Sequence, residues 1–388
     1  MKRHDVLIIS NTPLDSPYGA SSSLRTHLNQ LSESNISYIL VSPPCLNSSR
    51  PKSNQFYFSS LPWIYNYDGS PLCGFNIRAF ISSLLKVFGF LAFMIRLRMR
   101  YRFSSVHINS FSILPIVIAL KITYPFASCV LVLREFIQRR NLWTLYFLRL
   151  IDTLVFIDNS VRSRLYSLYP CIYDKKSYLI PNFITHYPVT IDCLNFLDSL
   201  SIANRYIFSF VGRLDDPSKG FDFVFDSFID FAKKNSTCVL LVFSACNVSL
   251  KSNYLLALDR ENLSNRVFFL GEVPTLLEKG YYNQINCVIR GESSYRPGRT
   301  VYEALLHNCC VIIPGLPAEI SNDPSLNSFS RSLVSYSPRN KLSIARAYKN
   351  ALLFNLNGAG NTSLTSSFSE RKQVSSYIQS FMKAYRLA

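Results

Sequence analysis

Short apolar runs, each followed by a segment of helix length, recur along this chain of 388 residues and leave few folds open to it. Asp5–Ser10 (DVLIIS), Ser37–Ser42 (SYILVS), Ser104–Ile108, Ala127–Leu133 and Thr153–Asp158 read as strands. A strand apolar at successive positions, rather than at alternate ones, needs cover on both faces, and a parallel sheet wrapped by helices supplies it. Helical spacing fills the intervals. Leu24, Leu28 and Leu31 mark a helix over Ser21–Ser32; others follow over 76–100, Ile113–Ile122 and Asn141–Leu150, and one is opened by Ser160.

The rhythm pauses after Ile180-Pro181-Asn182 and then restarts. Strands are expected at Tyr206–Val211, Thr237–Phe243, Arg266–Leu270, Asn286–Arg290 and Cys309–Ile313, and helices at Phe221–Lys233, 274–284, Gly298–Asn308, Asn340–Leu353 and Phe368–Tyr385. The chain therefore predicts an α/β protein of two Rossmann-like, doubly wound parallel-sheet domains facing a cleft. The first spans 1–182, a linker spans 183–203, the second spans 204–365, and a last helix within 366–388 packs back on the first. Such sheets bind ligands outside the carboxyl ends of their strands, so residues at those ends are the candidates for function.

Composition narrows the function classes. Hydrophobic residues make up 48% and charged residues 17%, against a usual ~25% charged, which excludes a disordered chain. Ten cysteines without paired Cys-x-x-Cys spacing and five scattered histidines give no metal site, and Cys309-Cys310 sit in a core strand. The only early apolar run, Val6–Ile9, is too short for a signal peptide, so a cytoplasmic location is expected.

The formal charge of +17 points toward an anionic partner. Residues 69–134 contain no Asp or Glu but carry Arg78, Lys86, Arg96, Arg98, Arg100, Arg102, Lys121 and Arg134. Within them Ala79–Ile95 is apolar yet shorter than the ~20 residues a spanning helix needs, and it is interrupted by Lys86 and Gly89. An anionic membrane surface suits this segment; a core helix with a solvated basic end is the plainer alternative. Nucleic acid is not expected, because no recognition motif accompanies the charge.

Two stretches carry chemistry. In Phe210-Val211-Gly212-Arg213-Leu214-Asp215-Asp216-Pro217-Ser218-Lys219-Gly220 a strand ends in a turn that delivers Arg213 and Lys219 to the top of the sheet. A guanidinium fork with an ammonium point charge makes a diphosphate clamp, unless the two cations are incidental to the turn. In Gly298-Arg299-Thr300-Val301-Tyr302-Glu303-Ala304-Leu305 a glycine opens a helix whose first amides can face phosphates, and Glu303 lies within reach of ribose hydroxyls. Alone, glycine before an amphipathic helix is common.

Together, at this separation, the two stretches resemble the donor domain of glycosyltransferase family 4, whose members have the GT-B fold. That family shows a Gly-Arg-Leu…Lys-Gly turn and a Pro-Ser-x-x-Glu-Gly-x-Gly-x-x-x-Glu-Ala stretch. The counterparts here are Gly212-Arg213-Leu214…Lys219-Gly220 and Gly291–Gly298…Glu303-Ala304. The resemblance implies that Arg213 and Lys219 hold a donor diphosphate and Glu303 the nucleotide ribose, with Gly212, Gly298, Arg299 and Thr300 lining the same site. The family's first glutamate falls on Tyr295, which leaves either the Tyr295 hydroxyl or Glu292 to meet the donor sugar. In the first domain Tyr18-Gly19-Ala20 resembles the family's glycine loop near the donor phosphates, and Ser105-Val106-His107-Ile108-Asn109 its strand ending in histidine. Gly19 thus joins the donor-binding set. His107 joins Arg213 and Lys219 as a catalytic candidate, a histidine packed under a loop being its alternative. Val155–Ser160 and Leu179-Ile180-Pro181-Asn182 resemble further family signatures.

The resemblance implies a hexosyltransferase using a nucleotide sugar, with retention, on a lipid-linked or envelope polysaccharide acceptor such as lipopolysaccharide or capsule. It would be peripheral at the inner face of the cell membrane. No cofactor and no metal are expected, the sugar nucleotide being substrate. A catalytically inactive GT-B protein and a membrane-surface adaptor are the rival readings.

Overall fold

The first sheet of the computed structural model is assembled from β1 (Lys2–Ile9), β2 (Tyr38–Ser42), β3 (Gln55–Tyr57), β4 (Tyr101–Ile108), β5 (Ser128–Leu133), β6 (Thr153–Phe156) and β7 (Lys176–Leu179). All neighbours pair in parallel, in the order β3-β2-β1-β4-β5-β6-β7. Residues 2–15, 19–45, 54–58, 77–134, 137, 140, 142–180, 200–202, 204–244, 248–271, 273, 280–321, 323, 326–356 and 379–385 are the described ones.

Helices cover both faces of this sheet. On one side α2 (Ile77–Arg100), α3 (Val117–Thr123), α4 (Leu142–Leu150) and α5 (Asn159–Leu168) bury Phe90, Met94, Leu120, Leu148 and Leu165 against Leu7, Ile9 and Val106. Asp158 caps α5 by accepting from the Val161 amide at 2.8 Å. On the other side α1 (Gly19–Glu33) places Leu24, Leu28 and Leu31 against Val6 and Ile8. Alternate residues of a strand point to opposite faces, so Leu7 and Ile8 serve the two cores.

The second sheet comprises β8 (Tyr206–Val211), β9 (Cys238–Phe243), β10 (Val267–Gly271), β11 (Cys287–Ile289), β12 (Cys310–Pro314) and β13 (Leu333–Tyr336). It is likewise parallel, in the order β10-β9-β8-β11-β12-β13. Its helices are α6 (Phe221–Ala232), α7 (Val248–Arg260), α8 (Arg299–Leu306), α9 (Pro317–Ser321) and α10 (Lys341–Leu356). A final helix, α11 (379–385), belongs to the first unit. The chain divides into residues 1–183 with 371–388, and residues 184–370.

Phe381, Ala384 and Tyr385 of α11 pack in the same core as α1. The linker expected over 183–203 lies almost entirely outside the described residues, as do Pro181 and Asn182.

Several elements depart from the sequence expectation for physical reasons. Pro115 breaks the helix expected over Ile113–Ile122 into a 3-10 segment, Phe111–Ile116, followed by α3. The helix α7 goes unanticipated because only Tyr254 and Leu258 of it are buried, too narrow a stripe for periodicity to reveal. Of the helix expected over 274–284, the described part is a 3-10 turn, Tyr281–Gln284. The short outer strands β3, β7 and β13 also escape pattern reading. No helix among the described residues is long and apolar enough to cross a membrane.

Candidate functional site

At the carboxyl end of β8 the chain turns through Gly212, Arg213 and Leu214, and the Leu214 amide is fixed by the Ser244 hydroxyl at 3.1 Å. Asp216 accepts from the Ser218 amide at 3.0 Å and caps a 3-10 turn, Pro217–Lys219. Gly220 then reverses the chain at φ +65°. A Cβ at Gly220 would stand 1.8 Å from the Gly291 carbonyl oxygen, and one at Gly291 would stand 2.4 Å from the Gly220 carbonyl oxygen. Neither position tolerates a side chain, so the turn after β8 and the turn after β11 touch backbone to backbone.

This contact brings charges together. Lys219 Nζ lies 3.8 Å from Glu292 Oε1, and Glu292 is hydrogen-bonded to the guanidinium of Arg290. Arg290 also donates to Thr300 Oγ1 at 2.8 Å, at the start of α8. Gly298, the N-cap of α8, sits against the same guanidinium: a Cβ there would meet Arg290 Nη2 at 3.2 Å. Arg290 and Glu292 are both buried, and each keeps one polar atom without a partner, Nε and Oε2. Burial, reinforced by the nearby Arg290 charge, lowers the pKa of Lys219 to about 8.

Lys219, Gly298 and Thr300, expected to act together, are thus joined through Arg290. Sequence reasoning missed this residue, although a charged residue ending an apolar strand beside a glycine was a usable signal.

The other candidates engage different partners. Arg213 directs its fork onto Asp215, at 3.0 and 2.8 Å, and this exposed pair holds the Asp215 carboxyl below its usual range. An exposed pair contributes little to stability and is readily exchanged for another anion. Arg299 Nε donates to Glu303 Oε1 at 2.6 Å, and the buried Tyr282 hydroxyl donates to Oε2 at 3.0 Å. The Glu303 carboxylate is thereby fixed in place while each oxygen keeps a lone pair for a further donor. Gly212 carries no steric requirement of its own, since an added Cβ would make ordinary contacts.

Two candidates are enclosed. Tyr295 is buried, and its hydroxyl donates to Asp323 Oδ2 at 2.9 Å. His107 is a core residue with no exposed surface, the placement of its alternative reading as a packed histidine. Its Nδ1 lies 2.7 Å from the Tyr385 hydroxyl of α11, the same hydroxyl stands 2.8 Å from His27 Nε2, and Phe381 stacks on the His107 ring. One hydroxyl serving two rings, donating to one and accepting from the other, suits two neutral imidazoles. Burial pushes the His27 pKa to about 3 and that of His107 well below its ordinary value, with Arg134 adding to both. Gly19 is the first residue of α1, and Tyr18 before it lies outside the described residues. Among the described residues no group of three His, Cys, Asp or Glu side chains is arranged to hold a metal ion.

No family model and no curated protein sequence matches the chain. Solved structures do. Sucrose-phosphate synthase from Thermosynechococcus elongatus aligns over 100% of both chains with a TM-score of 0.71 at 14% identity. A glycosyltransferase from Rickettsia africae also aligns over 100% of both chains, with a TM-score of 0.71 at 12% identity. Anabaena HepE, in a complex with UDP and glucose, covers 98% of this chain and 100% of its own, with a TM-score of 0.67 at 13% identity. At such identities the likeness is one of fold, and the two all-parallel α/β sheets of this chain are those of the GT-B fold.

Proposed function

We propose that the chain is a family 4 glycosyltransferase that moves a hexose from a sugar nucleotide, with retention, to a lipid-linked or envelope polysaccharide acceptor at the cytoplasmic face of a membrane. The observation that carries this reading is the junction of the Lys219 turn with the start of α8, locked by the mutual approach of Gly220 and Gly291. A cation, a set of helix N-terminal amides and a fixed carboxylate then lie at the carboxyl end of a parallel sheet, where a nucleoside diphosphate fits.

In this reading Arg213 exchanges Asp215 for a donor phosphate, Lys219 neutralises the second charge, and Glu303 accepts from the ribose hydroxyls. The bond from the anomeric carbon to the diphosphate oxygen breaks as the acceptor oxygen bonds on the same face. The acceptor proton passes to the departing diphosphate. The protein's part is to hold the developing charge in a preorganised field, and its cations do so without a divalent metal.

UDP-glucose leads the donors to test, because HepE has been crystallised with it. Calorimetry of UDP-, GDP-, CDP- and dTDP-sugars against the wild type and Arg213→Ala tests the reading. One nucleotide should bind, with affinity falling about 10- to 100-fold in the variant, the scale of losing one charge-assisted hydrogen bond. Failure of all four to bind would end the proposal. The Tyr295–Asp323 hydrogen bond favours a second reading, a GT-B protein that binds nucleotide without turnover. Binding without transfer to any lipid-linked saccharide would select it.

A further inference from the structure

Of the seventeen large apolar side chains that are exposed among the described residues, ten lie on α2, α3, α4 and the turn after α3. On α2 they are Leu85, Phe88, Ile95 and Met99, whose spacings of three, seven and four place them on one stripe. The opposite stripe, with Phe90, Met94 and Leu97, is buried against the sheet. α2 is therefore apolar on its outer side as well as its inner side. α3 adds Ile118 and Ile122, and Phe126 follows it with 98% of its surface exposed. α4 adds Leu142, Trp143 and Tyr146.

These residues form one surface. α3 packs against both α2 and α4, and all three helices bury their inner sides in the same core on one face of the first sheet. The Arg98 guanidinium reaches across to the Thr123 carbonyl and ties α2 to the end of α3. Soluble monomers rarely expose a contiguous apolar patch beyond several hundred Å² without a partner for it.

The charge of the three helices selects that partner. α2 carries Arg78, Lys86, Arg96, Arg98 and Arg100, α4 carries Arg149, and none of α2, α3 and α4 contains Asp or Glu; the one cation of α3, Lys121, is already paired with Asp152 at 2.7 Å and does not count toward this charge. Two copies joined through this face would set these cations against their equivalents with no acid on the helices to pair them, which disfavours a dimer. An anionic lipid leaflet matches both properties, since acyl chains accept the apolar stripes and headgroups meet the cations.

We propose that the outer face of α2, α3 and α4 is the surface by which the protein lies on an anionic membrane, with Phe126, Trp143 and the α2 stripe at the boundary between headgroups and acyl chains. The proposal rests on the membrane location given above and specifies its surface. It does not depend on the transfer chemistry.

The chain has two tryptophans, so Trp63→Phe leaves Trp143 as the sole reporter. Its emission should shift to the blue on mixing with vesicles of phosphatidylcholine and phosphatidylglycerol, and brominated lipids should quench it. Both signals should weaken with pure phosphatidylcholine. The triple variant Ile122→Ser, Phe126→Ser, Trp143→Ser, in the otherwise wild-type chain, should lose ~10-fold or more of its affinity in vesicle flotation, because insertion scales with the apolar area buried. Its nucleotide binding should match the wild type, which shows that it folds.

Unchanged flotation of the triple variant, or an unquenched Trp143, overturns the proposal. So does a wild-type dimer in sedimentation that the triple variant abolishes, because the face would then be a self-interface. Vesicle binding in a protein that takes no nucleotide would sink the transferase reading and leave this one standing.

Discussion

His107, one residue before the end of β4, and Lys219, on the turn after β8, both lie toward the carboxyl ends of parallel strands, one within its strand and one in a turn beyond it, and their surroundings are opposite. His107 is sealed by α11, whose Tyr385 lies 278 residues further along the chain, and it is kept neutral by burial. Lys219 keeps 28% of its side-chain surface exposed and is framed by Arg290, Glu292, Arg296 and Asp216. One region uses a titratable group to seat a helix; the other leaves a titratable group where an anion can reach it. A residue's place on a sheet end does not decide its role. What covers it does.

The comparison breaks most readily at Gly220. Gly220→Ala forces a left-handed residue and a collision with the Gly291 backbone, at a cost of about 2–4 kcal/mol. Urea unfolding should show this loss, together with loss of nucleotide binding. A wild-type midpoint would mean that the two turns do not touch.

The first region is tested by acid. Burial holds the folded-state pKa of His27 at about 3 and that of His107 well below the ordinary 6.5, so as pH falls below 6.5 the unfolded chain binds more protons than the folded one. Their contribution is complete above pH 6.5 and is lost as pH falls, at about 1.4 kcal/mol per pH unit for each ring. His27→Gln should make the loss between pH 6 and 4 shallower by about that amount in urea titrations. An identical slope would show that the ring is already protonated in the folded protein.

The smallest effect sharpens the second region. Lys219 loses its charge as pH rises through about 8, so nucleotide affinity should fall on the alkaline side, by about tenfold per pH unit at most. Arg290 lowers this pKa and Glu292 raises it. Arg290→Met should therefore move the alkaline limb to higher pH and Glu292→Gln to lower pH. Shifts in the same direction, or none, would detach the buried pair from Lys219.

Much of this was legible in the sequence where a local pattern carries the information. Apolar runs such as Val6–Ile9 and Val239–Phe243 could only be strands covered on both faces, and both are fully enclosed. Gly220 and Gly298 stand where a turn or a helix start needs them, so the second-domain stretches fell in the right places. Arg290 and its near neighbours Glu292 and Thr300 are local in the sequence, but that Arg290 and Glu292 frame Lys219 depends on Gly220 meeting Gly291, a contact made only in the folded sheet. The partner of Tyr295 could not be foreseen, because Asp323, which takes its hydroxyl, is 28 residues away and belongs to no motif.

The sequence by itself determined the class of fold and the position of the turn and helix start, because strand burial, helix periodicity and glycine geometry act over a few neighbouring residues. Tertiary structure decided which charged groups meet, which histidine is walled in, and that α2, α3 and α4 leave one apolar, basic face uncovered. Those outcomes depend on contacts between segments distant in the chain. Burial and the electrostatic field at a residue are set by whatever packs over it.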